Sequence, residues 1–279
     1  MNSYDIPDIS HEVTKAIEED VGDGDITAQL IPDSKTAVAK IICREAGVFC
    51  GGPWIKEVYG QLDEKIDVFP KINDGDIIDT DSVICEIHGP AKKILTGERT
   101  ALNFVQTFSS VATLTRAYVN KIKGTSAKIL DTRKTLPGLR QSLKYAVRVG
   151  GGTNHRMGLY DGVLIKENHI LAAGGIDELI RQLTDLNLKV PIQIEVENLH
   201  QLQQAISLSS SNLILLDNFG IKDLEEAVKI NRNQSLLEAS GNITIDNVRD
   251  VANTGVDRIS VGSLTKNISA IDLSMQFIY

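Results

Sequence analysis

The second half of the chain alternates short apolar runs with amphipathic segments, and this alternation limits the fold more than any other feature. Segments with helical periodicity, such as 176–183 and 222–229, separate the apolar runs. Six runs have the length of buried strands: 128–131, 162–166, 190–196, 212–217, 236–240 and 258–262. Repeated strand–helix units with short connections predict a parallel sheet covered by helices. Six strands favour an α/β barrel over an open doubly wound sheet, and because no eighth strand is readable we expect an incomplete barrel.

The first part of the chain has a different pattern. Residues 38–43 alternate like a half-buried strand, turn signals follow at 73–76 and 88–90, and a long helical stretch begins near Gly97. We therefore predict an α/β sandwich in residues 1–110 and the barrel in residues 111–267. The alternating run within residues 268–279 is predicted to pack back on the sandwich.

The charge distribution points to a small anionic ligand. The chain has a net charge of −8, yet residues 131–169 contain seven Lys and Arg against three Asp and Glu. A cationic, glycine-punctuated segment in an acidic protein predicts binding of a compound with phosphates or carboxylates. The net charge argues against general nucleic-acid binding. Because no apolar run approaches the ~20 residues of a membrane helix, we expect no membrane association.

The cysteines and the N-terminus bear on the compartment. Cys43, Cys50 and Cys85 form no Cys-x-x-Cys pair, so we expect neither a disulfide framework nor a zinc knuckle. The first seven residues lack the cationic and apolar regions of a signal peptide. A cytoplasmic protein is therefore expected.

Polar residues stand at the predicted carboxyl end of nearly every strand, where α/β barrels carry their active sites. They are Asp131, Arg133, Lys166, Glu195, Glu197, Asp217, Ser240, Gly262 and Ser263. Hydrogen bonding inside a core would explain one or two such residues, but it explains six strands poorly. The sequence therefore predicts an active site at this rim.

Glu195 and Glu197 are two positions apart, so they are expected to share one face of their strand. If that face is the barrel interior, the carboxylates need cations, and Asp217 is placed in the same way on the next strand. The available cations follow neighbouring strands: Arg133, Lys134 and Lys166. Two alternatives remain open, a buried ion network and a site for a magnesium–diphosphate group.

Small residues and an arginine suggest two further kinds of contact. Ser240–Gly241 and Gly262–Ser263 close the last two strands and expose backbone N–H groups suited to phosphate, although plain turns remain an alternative. The planar fork of Arg156 can bind a carboxylate, and with Arg133 and Arg99 it could hold a small dicarboxylate. Taken alone His155 is more typical of a structural role, and His169 is open between substrate contact and loop support.

Taken together, these segments resemble the quinolinate phosphoribosyltransferase family. The resemblance is carried by Glu19–Thr27, Glu98–Asn103, Asp131–Thr135, Asn154–Arg156, Leu164–Lys166 with Asn168–His169, Glu195–Glu197, Leu216–Asn218, Glu238–Gly241 and Val261–Thr265. Three positions depart from the family pattern. Leu136 replaces a usual Thr, Glu167 replaces a common Asp, and Asn242 replaces the second glycine of a pair.

The resemblance implies transfer of phosphoribosyl from phosphoribosyl pyrophosphate to quinolinate with decarboxylation. The products would be nicotinate mononucleotide, pyrophosphate and carbon dioxide, in de novo NAD biosynthesis. It also implies a TIM-like incomplete barrel of the type II phosphoribosyltransferases, an N-terminal sandwich, and Mg²⁺ bound with the donor. A homodimer is implied in which Arg99 is donated across the interface, and assembly up to a hexamer stays open.

The resemblance also implies a role for each candidate residue. Around the quinolinate carboxylates it places Arg133, His155, Arg156, Lys166 and His169, with Arg99 from the other subunit. Lys134, Glu195 and Asp217 would be catalytic at the ribose and pyrophosphate end, with Glu195 and Asp217 also serving the metal. The 5′-phosphate would be held by Ser240, Gly241, Gly262 and Ser263.

Three other functions are considered. A paralogue on the same scaffold, of the kind associated with molybdate transport, would act on another substrate, but the presence of both Arg133 and Arg156 argues against it. A biotinyl or lipoyl carrier is suggested by residues 73–95, although Lys92 and Lys93 lack a flanking Met or a hairpin signal. The third alternative is a non-catalytic sugar-phosphate sensor.

Overall fold

The computed structural model describes residues 5–186, 188–207 and 213–278. Its helices are α1 Ser10–Val21, α2 Gly52–Leu62, α3 Ala91–Lys121, α4 Arg140–Val149, α5 Glu167–Ala173, α6 Ile176–Leu186, α7 Leu199–Ser207, α8 Ile221–Asn231, α9 Val248–Asn253 and α10 Ser263–Lys266. Its strands are β1 Thr36–Cys43, β2 Gly47–Val48, β3 Asp67–Pro70, β4 Ile77–Ile78, β5 Val83–Pro90, β6 Lys128–Leu130, β7 Val163–Ile165, β8 Ile192–Val196, β9 Leu213–Asp217, β10 Leu236–Ser240, β11 Arg258–Ser260 and β12 Leu273–Ile278. Of the predicted strand and C-terminal segment, residues 212 and 279 lie outside the described residues.

The chain divides into two compact units, and the division is not a single cut in the sequence. The first unit takes residues up to 116, residues 135–151 and residues from 263 onward. The second takes residues 117–134 and 152–262. A segment that follows β6 in sequence therefore belongs to the first unit.

The first unit is built on a four-stranded antiparallel sheet in the order β12-β1-β5-β3. In β1 the side chains of Ala39, Ile41 and Cys43 are buried while the intervening residues are partly exposed, as the alternating pattern predicts. The chain end returns to this sheet, because β12 pairs with β1 from Leu273 opposite Cys43 to Ile278 opposite Val38.

Helix α4 joins the first unit through its buried face and two hydrogen-bonded carboxylates. Glu12 accepts from Trp54 Nε1 at 2.8 Å and from Ser142 Oγ at 2.7 Å. Asp74 accepts from the Tyr145 hydroxyl at 2.7 Å. The Tyr145 ring also packs against Trp54, with 5.3 Å between the ring centroids. These contacts, together with an almost wholly buried α4, account for the placement of residues 135–151.

The second unit contains a six-stranded parallel sheet in the order β6-β11-β10-β9-β8-β7. Strands β7 to β11 follow sequence order, whereas β6, the first strand, pairs with β11, the last, with Lys128 opposite Arg258. A sheet whose first strand meets its last has the connectivity of a barrel, and β6 and β7 are its two edges. The predicted incomplete α/β barrel, with an N-terminal unit containing helices and an antiparallel sheet, is confirmed.

The carrier alternative drawn from the sequence can be compared with the fold. Lys92 and Lys93 lie in the first turn of α3, not at a hairpin tip, and Lys92 Nζ pairs with Asp33 at 3.1 Å. That geometry is unlike a carrier lysine. Among the described residues, no helix is long and apolar enough to cross a bilayer.

We predict that the three cysteines resist alkylation in the native protein. Cys43, Cys50 and Cys85 are buried and unpaired. Burial raises the pKa of Cys85 to about 12 and raises the pKa of the other two thiols as well. Because the thiolate is the reactive form, iodoacetamide at pH 8 should modify none of them until the protein is unfolded in urea. Mass spectrometry of both samples checks this, and rapid labelling of the native chain would contradict it.

Candidate active site

Eleven of the thirteen predicted site residues lie in the second unit, at or near the carboxyl ends of its strands. They are Arg133 and Lys134 after β6, His155 and Arg156 beyond Gly152, Lys166 and His169 after β7, Glu195 in β8, Asp217 in β9, Ser240 and Gly241 at β10, and Gly262 after β11. Thr153 forms a parallel bridge with Leu130, so His155 and Arg156 follow a segment that runs beside β6. The other two belong to the first unit: Arg99 is exposed on α3, and Ser263 begins the four-residue helix α10.

Arg133 and Arg156 form a pair of like charges. Partial burial and the nearby charge of Arg133 lower the pKa of Arg156, and Asp161 only partly opposes this. Arg156 Nη1 donates to the Gly162 carbonyl at 2.9 Å, while Arg133 Nε is buried without a hydrogen-bond partner in the described structure. An anion would stabilise two neighbouring guanidinium groups, and a carboxylate matches their geometry.

The segment before Arg156 is held from two sides. Fully buried Asp131 accepts from the backbone N–H of His155 at 2.9 Å and from the Asn154 side chain. The His155 ring contacts Gln193 through Nε2, 2.9 Å from Oε1, and accepts at Nδ1 from the Arg156 backbone N–H at 2.8 Å. His155 therefore fixes the main chain of Arg156.

Lys166 and Glu195 connect the ends of β7 and β8. Lys166 Nζ donates to both carboxylate oxygens of Glu195, at 2.7 and 2.9 Å. Half of the Lys166 side chain is exposed, and such pairs contribute only about 0–1 kcal/mol to stability. The pair is thus free to rearrange around a charged ligand. His169 Nδ1 accepts from the Lys166 backbone N–H at 3.0 Å, which is the loop support considered from the sequence.

The expected pairing of Glu195 with Glu197 inside the barrel is wrong. Strand β8 ends at Val196, so Glu197 lies beyond the strand, is exposed, and donates its backbone N–H to Gln201 Oε1 at 2.7 Å. The residue that shares the inward face with Glu195 is buried Gln193. Alternation predicts a common face only while the strand continues.

A tight backbone contact joins the ends of β9 and β10. Asn218 has a positive φ of 58° and donates its backbone N–H to the Ser240 carbonyl at 2.8 Å, while its side chain donates to Asp217 at 2.8 Å. Gly241 has a φ of +91°, and a Cβ there would clash with Asn218 Oδ1. Only glycine fits this position. Sequence reasoning assigned Asn218 no role, although Asn is enriched at positive φ.

Lys134 reaches the neighbouring strand end. A Cβ at Gly262 would come within 3.1 Å of Lys134 Cδ, so the aliphatic part of the lysine lies against this glycine. The Lys134 backbone N–H donates to Thr132 Oγ1 at 3.1 Å, which shapes the loop after β6. The first and last strands of the barrel thus contribute to one edge of the site.

The residues present fit a magnesium ion that arrives with a diphosphate. Within the described residues, no group of three or more His, Cys, Asp or Glu side chains could enclose a metal. Glu195 and Asp217 instead offer two carboxylates on the paired strands β8 and β9. Mg²⁺ commonly uses one or two carboxylates and takes its other ligands from substrate phosphates and water.

Sequence reasoning also missed a buried polar group below the rim. Glu238, at the centre of β10, is fully buried, with Gln193 Nε2 donating to Oε2 at 3.2 Å and Arg258 Nε 3.1 Å from the same oxygen. A glutamate inside the apolar run Leu236–Ser240 was the available signal, because an unpaired charge is not tolerated there.

Comparison with known proteins connects this geometry to a family. Residues 25–109 match the model for the quinolinate phosphoribosyl transferase N-terminal domain, and residues 111–276 match the C-terminal domain of the same family. A probable nicotinate-nucleotide pyrophosphorylase (carboxylating) of Bacillus subtilis is 42% identical over 258 residues, which cover 92% of this chain and 89% of the relative. Quinolinate phosphoribosyltransferase (decarboxylating) 1b of Nicotiana tabacum is 36% identical over 289 residues, or 96% of this chain and 82% of the relative. The solved nicotinate-nucleotide pyrophosphorylase of Francisella tularensis superimposes with a TM-score of 0.93 at 42% identity, covering 99% and 98% of the two chains.

We predict that Gly241→Ala is far more damaging than Gly124→Ala. Both glycines have positive φ, but a Cβ at Gly124 meets nothing within 4 Å, so this variant isolates the backbone strain of about 1–2 kcal/mol. At Gly241 the clash with Asn218 adds about 1–3 kcal/mol. Urea unfolding of both variants measures the difference, and equal losses would show that the contact with Asn218 relaxes freely.

Proposed function

Because this chain belongs to the quinolinate phosphoribosyltransferase family, we propose that the barrel rim binds quinolinate at its arginine pair and the phosphoribosyl donor at the ends of β8 to β11. The reaction transfers phosphoribosyl from phosphoribosyl pyrophosphate to quinolinate with decarboxylation. It yields nicotinate mononucleotide, pyrophosphate and carbon dioxide in NAD biosynthesis. The observation that carries the assignment is the pair Arg133 and Arg156: the charge of Arg133 helps to lower the pKa of Arg156, and Arg133 Nε is buried without a hydrogen-bond partner in the described structure.

At the acceptor end, Arg133 and Arg156 bind the two carboxylates of quinolinate, since a guanidinium fork matches a carboxylate. Lys166 adds a third cation at the edge of this pocket. His155 and His169 border the pocket and hold the main chain of Arg156 and Lys166, respectively. Binding here orients the pyridine nitrogen toward the donor, so much of the rate gain comes from positioning.

At the donor end, Lys134 faces the pyrophosphate, and the 5′-phosphate rests on the small residues that follow the last two strands. Those residues are Ser240, Gly241, Gly262 and Ser263. Glu195 and Asp217 would hold the Mg²⁺ ion that accompanies the donor. When bound, the ion neutralises negative charge on the diphosphate.

The chemistry follows from charges that the residues can stabilise. The pyridine nitrogen forms a bond to the ribose anomeric carbon as the bond from that carbon to pyrophosphate breaks. Glu195 and Asp217 stabilise the positive charge that develops on the ribose, and Lys134 stabilises the departing pyrophosphate. The ribosylated ring nitrogen then accepts the electron pair released when the adjacent carboxylate leaves as carbon dioxide, and a proton takes its place.

We also propose a homodimer in which each subunit donates Arg99 to its partner's pocket. Exposure of Arg99 on α3 supports this proposal. The three free, buried cysteines support a reducing compartment, the cytoplasm.

The direct test mixes the purified protein with quinolinate, phosphoribosyl pyrophosphate and magnesium. We expect nicotinate mononucleotide and carbon dioxide in equal amounts. Donor binding without product would instead favour a sensor, and turnover of another acceptor would favour a paralogous activity.

For the acceptor pocket, we predict that Arg133→Ala raises the KM for quinolinate by about 100-fold, because one carboxylate loses its partner and Arg156 remains. The KM for the donor should change much less. Arg181→Ala, which removes an exposed arginine paired with Glu178, is the matched control and should change neither value. Steady-state kinetics with each substrate varied in turn decides this. Equal increases in the two KM values would contradict the assignment.

For the dimer, we predict that mixed subunits recover activity. If Arg99 serves the partner's pocket, refolding Arg99→Ala together with Arg133→Ala leaves one intact pocket in each hybrid dimer. About a quarter of the wild-type activity should then return, because half of the random dimers are hybrids. If Arg99 instead serves its own subunit, each pocket keeps one defect and no activity returns.

A further inference from the structure

Glu238 is a buried carboxylate with no role in the proposed binding of either substrate. Its side chain is fully buried, although carboxylates are almost never buried without partners. Its neighbours come from three other segments: Arg258 on β11, Gln193 on β8, and His155, whose Nε2 lies 3.4 Å from Glu238 Oε1. The last of these segments leads directly into Arg156.

Glu238 is charged at neutral pH. Burial raises its pKa, but Arg258, whose Nε lies 3.1 Å from Oε2, and a hydrogen bond from Gln193 are among the contacts that hold the pKa below its usual value. An ionised carboxylate can only accept hydrogen bonds. The direction of every bond to it is therefore determined.

The hydrogen-bond direction at Glu238 also fixes the orientation of the Gln193 amide and the protonated nitrogen of His155. Because Glu238 only accepts, the Gln193 amide nitrogen faces it, and the Gln193 carbonyl oxygen faces His155. The His155 Nε2 then lies between two acceptor oxygens, one from Gln193 and one from Glu238, so it carries the proton. The opposite nitrogen, Nδ1, keeps its lone pair and accepts from the Arg156 backbone N–H at 2.8 Å.

We propose that Glu238 is a positioning residue for the quinolinate pocket: through Gln193 it sets the tautomer of His155, and His155 in turn holds the main chain of Arg156. Arg258 supplies the charge that allows the carboxylate to stay buried. The proposal rests on the proposed function of Arg156, and it adds a residue that reaches the substrate through three intermediates.

A purely structural ion pair is the competing explanation. In that case Glu238 and Arg258 would support the core of the barrel, and the protonation of His155 would not depend on them. The tautomer of His155 separates the two explanations, because loss of stability alone does not change which ring nitrogen carries the proton.

The first experiment uses the full-length wild-type protein labelled with ¹⁵N. Long-range ¹H–¹⁵N spectra at pH 7 report the tautomer of each histidine, and His155→Gln identifies the signals of His155. We expect the neutral form with the proton on Nε2. A proton on Nδ1, or a doubly protonated ring, would overturn the proposal whether or not the enzyme turns over, so its failure is distinguishable from failure of the proposed function.

The second experiment uses E238Q and the exchanged variant E238Q/Q193E. An amide at position 238 can donate or accept, so in E238Q we expect mixed tautomers of His155 and a KM for quinolinate raised about tenfold or more. The donor KM should stay within about twofold.

The exchanged variant moves the carboxylate from position 238 to position 193, next to His155. The amide introduced at position 238 can then accept from Arg258 and donate to the carboxylate introduced at position 193, and that carboxylate accepts from His155 Nε2. We expect the exchanged variant to regain the single Nε2–H tautomer and most of the affinity for quinolinate. A single tautomer and an unchanged quinolinate KM in E238Q would overturn the proposal. So would a folded exchanged variant that recovers neither property.

Discussion

The parallel pairing of β6 with β11 is the contact on which the rest of the site depends. It joins the first strand of the barrel to the last, with Leu130 opposite Ser260, so the loops that follow both strands emerge at one edge. Lys134 can then lie against Gly262. Without this pairing the same six strands would form an open sheet, with the loop after β6 far from the loop after β11.

The carboxylates in the barrel interior and the arginines at its rim differ in their partners. Asp131 and Glu238 are fully buried, and each has partners supplied by the protein itself. At the rim, partial burial and the charge of Arg133 lower the pKa of Arg156, and the Asp161 charge does not fully compensate. Buried carboxylates with partners inside the protein make directional bonds, whereas neighbouring positive charges at the rim favour an anionic ligand.

Backbone conformation shapes the loop that follows β10. Asn218, Gly241 and Asn242 all have positive φ, and Asn242 Nδ2 donates to Asn218 Oδ1 at 3.2 Å. Asn242 replaces the second glycine of the family pattern, yet its φ of 52° lies in the left-handed region that asparagine tolerates. Asn242 can therefore adopt this conformation without being glycine. Gly241 has no such freedom, because the side chain of Asn218 occupies the space beside it.

The sequence by itself determined the six strands and the rim where the polar residues gather. Apolar periodicity is a local property, and parallel strands bring their carboxyl ends to one edge whatever the details of packing. The pair Arg133 and Arg156 could be predicted for the same reason, since each follows a segment of that edge.

Only the tertiary structure decided which neighbours face one another. In the structure Gln193, and not Glu197, shares the inward face of β8 with Glu195. The reason is that the end of β8 depends on its pairing with other strands. The tertiary structure assigned residues 135–151 to the first unit, and it brought Arg258 to Glu238. These outcomes depend on contacts between segments far apart in the chain, and periodicity within one segment does not encode them.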